Sequence, residues 1–191
     1  MANGIEAKNL SLRFKNANHP YMIATRDMKK GEIIVSVPYE NWQPLEKVMA
    51  HSPILQKLNE AGSLVKHLSQ PWRNSFFAVF MIEQLKKGKE SDYYPYISNF
   101  NDLVDHYPTN FGDKEKELLK GCDDLLFKCE SKNIIDGNDY TLLTSVCPEL
   151  KDTCSLEEFK TAKKWVSTRA YGLAFTDGEQ RQVLVPFLEF A

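Results

Sequence analysis

The chain has 191 residues, 24 lysines and arginines against 26 aspartates and glutamates, a formal net charge of −2 and a pI near 6.1. Hydrophobic residues are 42% and aromatics 12%, which is enough to build a core and excludes collagen, coiled coil and wholesale disorder. The balanced charge argues against a dedicated nucleic-acid binder and a polybasic membrane-surface protein, and the length suits one domain with at most an inserted subdomain.

The first forty residues read as β structure. Leu10 to Phe14 alternates apolar and polar residues, and Tyr21 to Thr25 and Glu32 to Val37 are rich in apolar and β-branched residues. Lys29-Lys30-Gly31 supplies a turn, so the last two segments are expected to pair as a hairpin, ended by Pro38. Helices follow: Pro53 to Ala61, then Trp72 to Lys87 with Phe76, Val79, Phe80 and Leu85 at helical spacing and Gly88 at the C′ position.

Ser91 to Asn101 is an aromatic, proline-broken loop. Asp113 to Lys132 is expected to be one helix with Leu118, Cys122, Leu125 and Cys129 as its buried stripe, and Asp139 to Val146 a short one. Ser155 and Glu158 form a capping box before Phe159, Ala162 and Val166, the buried face of the next helix. Tyr171 to Thr176 and Gln182 to Val185 are expected to form a hairpin across Asp177-Gly178. Strands, then helices, then strands give an α+β fold: small β-sheets interrupted by a mostly helical insertion, residues 53–170.

No apolar run approaches the roughly 18 residues of a membrane span, and Met1 to Leu10 lacks the apolar core of a secretory signal. The four cysteines, Cys122, Cys129, Cys147 and Cys154, have C-x6-C spacing, which is not that of a zinc site. They are expected as reduced core thiols of an intracellular protein, cytoplasmic or nuclear, with an organelle or cilium left open. His19, His51, His67 and His106 are scattered without ligand spacing, so no metal site is expected. Phosphate-loop, zinc-protease and serine-hydrolase motifs are absent from the sequence.

The order of several short motifs nevertheless resembles the SET-domain protein methyltransferases. Residues 23–34, I-A-T-R-D-M-K-K-G-E-I-I, are similar to the opening pattern G-x-G-L-x-A-T-R-D-I-x-x-G-E. Ser91 to Ile97 resembles the S-x-W-x-P-Y-I loop of the subfamily that holds the Rubisco large-subunit and actin-histidine methyltransferases. Thr168-Arg169 resembles its helix end, and Leu184-Val185-Pro186 resembles the strand leading into D-x-x-N-H. The resemblance runs from about Leu10 to Ala191 and implies a partial SET domain spanning residues 1–191.

It also implies methyl transfer from S-adenosylmethionine to a protein lysine or histidine nitrogen. By position, Glu32, Ile34, Arg169 and Glu189 become the cofactor-binding candidates. A carboxylate at Glu32 can accept ribose or adenine hydrogen bonds, although a strand-start glutamate on a solvent face explains it equally well. The Arg169 fork suits a carboxylate, or it answers the dipole of its own helix. Tyr93, Tyr94 and Tyr96 line a substrate cleft or pack as core and rim.

Three departures bear on activity. The G-x-G glycines fall on His19 and Tyr21 with Pro20 between; a Cβ and a lost N–H work against close approach to a cofactor. The family's aspartate falls on Glu189, and the chain ends at Ala191 where Asn-His would follow. No residue is therefore assigned a catalytic role. The expected function is a degenerate, non-catalytic structural or interaction subunit, with no cofactor. A protein partner would cover the apolar segment Val183 to Ala191. The alternative is a fragment of an active S-adenosylmethionine-dependent N-methyltransferase.

Overall fold

The computed structural model describes residues 4–14, 20–63, 67–69, 71–98, 100 and 107–188. His19, His106, Glu189 and Ala191 lie outside them, as do Asn99 and Asn101 of the Ser91 to Asn101 loop. The fold is α+β, with helices between small antiparallel sheets. Two compact units divide the chain: Met1–Pro44 with Arg169–Ala191, and Leu45–Thr168.

The first unit carries the strands. β1 (Glu6–Ala7) pairs with β4 (Val35–Ser36), and β2 (Leu10–Phe14) pairs with β3 (Pro20–Ala24) in the register Leu10 to Ala24. The hairpin expected between Tyr21–Thr25 and Glu32–Val37 does not form. Asn9 takes a left-handed backbone, φ 59°, which Asn tolerates better than most residues, and turns the chain between β1 and β2. Asn9 O then accepts from Thr25 N at 2.9 Å, and Ile34 O accepts from Lys8 N at 2.9 Å. Residues 25–34 thus form a loop returning to β1, not a tight turn returning to β3.

The third sheet orders β5 (Gln43–Pro44), β7 (Gln180–Leu184) and β6 (Ala170–Ala174). The β6–β7 hairpin has the expected place but a three-residue loop: Phe175 N donates to Glu179 O and Gly178 N to Phe175 O, both at 2.9 Å. Gly178, φ 82°, takes the left-handed position that such loops need. Val183, Leu184 and Val185 are buried, while Phe187 and Leu188 are half-buried.

The second unit is helical. α1 (Leu45–Ala50) leads to α2 (Pro53–Glu60), which starts at Pro53 as expected; the Ser52 hydroxyl caps it by accepting from Leu55 N at 3.0 Å. α3 (Arg73–Lys87) is buried on all faces from Asn74 to Gln84, and Gly88, φ 58°, stops it. The tyrosine loop contains one helical turn, α4 (Tyr94–Ile97).

The helix expected over Asp113 to Lys132 is two helices. α5 (Asp113–Glu117) ends before Gly121, whose φ of 89° breaks the chain direction. α6 (Asp123–Val146) then absorbs the separate short helix expected at Asp139 to Val146. The break destroys the proposed stripe: Leu118 is 84% exposed, Leu125 50% and Cys122 exposed, leaving only Cys129 of the four buried. α6 instead buries Cys129, Asp136, Asp139, Leu143 and Thr144. After α7 (Leu150–Thr153), α8 (Leu156–Arg169) buries Phe159, Ala162 and Val166 as expected.

All four cysteines are free thiols. Burial pushes the Cys154 thiol up to about 12, consistent with an unreactive thiol. Among the described residues no helix is long and apolar enough to cross a membrane, and no group of three metal-capable side chains converges.

The α8 capping box closes from both sides. Ser155 N donates to the Glu158 carboxylate at 2.8 Å, and Glu158 N donates to the Ser155 hydroxyl at 3.3 Å. The helix N-terminus and Lys86, 2.9 Å away, hold the Glu158 carboxyl down at about 2. Ser155→Ala leaves Glu158 N without its acceptor and is expected to destabilise the protein by about 1 kcal/mol, read as a lower urea midpoint at unchanged m-value.

Candidate functional site

Three of the four cofactor candidates lie in the described part of the strand-bearing unit; Glu189 does not. Glu32 sits in the loop between β3 and β4. The backbone turns at Gly31, φ 88°, and Glu32 N donates to Lys29 O at 3.1 Å. The Glu32 side chain folds back into this turn. Its Oε1 takes the Arg26 guanidinium in a short ion pair, and Oε2 accepts from Lys29 N at 3.1 Å and from Arg26 Nη1 at 3.4 Å. The Arg26 bond and then the Lys29 N–H hold this carboxyl below the usual carboxylate range. Both oxygens thus close their own loop.

Ile34 follows two residues later, at the edge of β4. Its carbonyl is taken by Lys8 N, and its side chain is 36% exposed. Arg169 is the last residue of α8, immediately before β6, and is buried at 4% exposure. It therefore leads into the three-stranded sheet, whereas Glu32 and Ile34 lead into the β1–β4 pair. Tyr21, at one of the glycine positions, stands in regular β3 opposite Arg13 with its side chain 45% exposed.

The tyrosine loop packs within the helical unit. Tyr93 meets Phe80 edge-on at 5.0 Å and His51 at 6.0 Å, and Tyr96 meets Phe100 at 4.8 Å. Such edge-to-face pairs stabilise packing beyond their buried area.

Sequence reading missed the most buried polar cluster. Lys163 on α8, Asp136 and Asp139 on α6 are 2%, 0% and 3% exposed. Lys163 Nζ lies 2.5 Å from Asp139 Oδ2 and 2.8 Å from Asp136 Oδ1. Ser69 N donates to Asp139 Oδ1 at 2.8 Å, the Ser75 hydroxyl donates to Oδ2 at 3.2 Å, and Lys132 Nζ reaches Asp136 Oδ2 at 2.6 Å. The cluster ties α6, α8, the start of α3 and the segment before it. With every oxygen engaged, it is a clamp and leaves no atom for a substrate. One signal for it was available: Lys163 shares the i, i+3, i+4, i+7 stripe of Phe159, Ala162 and Val166, where a charge needs a buried partner.

No family model matches the sequence. The chain is 26% identical over 153 residues to Protein SET DOMAIN GROUP 40 of Arabidopsis thaliana; the match covers 80% of this chain and 29% of that protein. The chain thus spans less than a third of that relative's length. With the α+β fold this is distant homology to a SET domain group protein. SET domains typically use S-adenosylmethionine.

Burial works against ionisation of Asp139, but the bonds from Lys163 and then Ser69 outweigh it and hold the carboxyl below its usual value. A carboxyl lowered on folding stabilises the protein above its unfolded pKa, near 3.8, and that contribution disappears as pH falls through the lower folded value. Unfolding followed by circular dichroism should therefore show stability dropping below about pH 4. Asp139→Asn should flatten part of that slope and cost about 3 kcal/mol at neutral pH, because Lys163 loses half of its buried countercharge.

Proposed function

We propose that this chain is a SET-domain-like module that acts as a structural or interaction subunit and does not bind S-adenosylmethionine by itself. The observation that carries this reading is the state of Glu32. The carboxylate that resemblance assigns to the cofactor is already bound to Arg26 and to Lys29 N. Freeing it would break an ion pair and a turn in the same loop. A second support is Tyr21, which brings a Cβ and a ring to a position where close backbone approach calls for glycine. The described residues thus fit the cofactor poorly, and no methyl-transfer step is assigned to them.

A subunit role requires a protein partner. Val183 to Val185 are buried without one. Exposed apolar residues lie instead on α6, where Phe127 is 70% and Ile134 67% exposed, seven residues apart on the face opposite Asp136. Patches of this kind favour association.

A second reading is supported by the match itself, which covers 29% of a much longer SET domain group protein. On that reading the chain is a fragment of an S-adenosylmethionine-dependent protein-lysine or histidine N-methyltransferase. It resembles the Rubisco large-subunit and actin-histidine methyltransferase subfamily, and the cofactor wall is completed elsewhere.

Isothermal titration of S-adenosylmethionine into the purified chain tests the subunit reading. Each missing hydrogen bond to a charged group costs about 1.5–3 kcal/mol, and about 1.4 kcal/mol is tenfold in affinity. Two or three such losses should leave binding at millimolar strength or weaker, and the His19→Gly/Tyr21→Gly variant should improve it. A micromolar dissociation constant for the unmodified chain would contradict the subunit reading and favour the enzyme.

A further inference from the structure

We propose that the corner formed by Tyr39, Trp42 and Phe175 is a binding site for an alkylated ammonium group, such as the methylated lysine side chain of a partner peptide. The three residues come from two places in the strand-bearing unit. Tyr39 opens the 3-10 turn Tyr39–Asn41 that follows Pro38, Trp42 closes it, and Phe175 opens the β6–β7 loop. Their ring centroids form a nearly equilateral triangle: 5.5 Å from Tyr39 to Trp42, 5.9 Å from Tyr39 to Phe175 and 6.1 Å from Trp42 to Phe175. The planes are mutually inclined by 53°, 75° and 82°. They wall a cleft of ≈ 370 Å³ together with Ala174, Thr176 and Arg181.

Core packing does not explain the arrangement. Tyr39 is 59% exposed, so its ring is held at the surface. Trp42 is fixed in orientation by its indole N–H, which donates to Val37 O at 3.0 Å. Three inclined rings lining an open cleft offer π surface to whatever enters, and the ligand class they favour is a weakly hydrated organic cation. The protein itself demonstrates the preference: the Arg181 guanidinium lies 4.8 Å from the Phe175 centroid.

Charge at the rim selects the sign of the ligand. Arg181 is paired with Asp177 and, at 3.4 Å, with Glu179. Two carboxylates against one guanidinium leave the rim net negative. An anion would face those carboxylates, and an uncharged proline-rich segment would gain nothing from them. An ammonium gains from both the rings and the rim. None of these residues belongs to the loop of Glu32, so this site stands whether or not the chain holds a cofactor.

The test is a titration of the whole chain with Nε-trimethyllysine and with tetramethylammonium at constant ionic strength. The readout is the Trp42 indole N–H resonance in 15N spectra, assigned with Trp42→Phe. Both cations should shift it saturably, whereas the neutral carbon isostere of trimethyllysine should bind about tenfold more weakly. Tyr39→Phe should retain binding and Tyr39→Ala lose it. Arg181→Gln, which removes the resident cation, should bind the ammonium several-fold more tightly. Equal binding of the neutral isostere, weaker binding by Arg181→Gln, or a shift produced by a proline-rich peptide and not by the cations would overturn the proposal. The isostere comparison uses the unmodified chain, so it holds even if a variant fails to fold.

Discussion

The helical unit depends on one buried ammonium. Lys163 lies within the apolar stripe of α8, and an unpaired charge at that depth would cost several kcal/mol in desolvation. It is stable there only because α6 brings two carboxylates, Asp136 and Asp139, to the same point. That requirement fixes which face of α6 turns inward. It also fixes where Ser69 and Ser75 must lie, since Asp139 has two oxygens to satisfy. A buried ion pair adds little net stability over a well-packed apolar substitute, but it tolerates few alternative geometries. In a helix as rich in weak helix formers as α6, with Asn133, Gly137, Asn138 and Thr141, such a directional contact supplies register that propensity alone does not.

The strand-bearing unit shows the same economy on a smaller scale. The loop from Arg26 to Glu32 is closed by a side chain reaching back to its own backbone, so the residue that resemblance marks as a ligand contact serves as a turn clasp. Distant homology to a SET domain group protein and a carboxylate committed inside its loop are compatible. A fold can persist through its strands, caps and turns while the groups that once faced a ligand are retained for local structure. The exposed aromatic corner beside the β6–β7 loop lies apart from that loop in the chain and owes nothing to it.

Much of the architecture was legible in the sequence where local chemistry decides it. The Ser155–Glu158 box, Gly88 after α3 and Gly178 in the last hairpin each act within a few residues, and each stands where the sequence indicates. What escaped is non-local. The β1–β4 pairing depends on Asn9 turning left-handed, and alternation in β2 and β3 does not reveal which neighbour each strand takes. The split between α5 and α6 was marked by Gly121 followed by Asp123 and Asp124, a stop and a restart. An apparent heptad from Leu118 to Cys129 concealed it. At the candidate site, positions 32, 34 and 169 were identifiable by motif, but the partner of Glu32 was not. Arg26 lies six residues away, and a motif names a residue without stating which contact it makes.

The reading of the strand-bearing unit as unable to hold the cofactor requires that Glu32 be engaged in its loop in solution. The direct measurement is an NMR pH titration of the Glu32 side-chain carboxyl, in the unmodified chain and in Arg26→Ala, with and without millimolar S-adenosylmethionine. The predicted midpoint lies below that of an ordinary glutamate in the unmodified chain, rises when Arg26 is removed, and does not move when the cofactor is added. An ordinary midpoint in the unmodified chain, or a saturable change on adding S-adenosylmethionine, would contradict it.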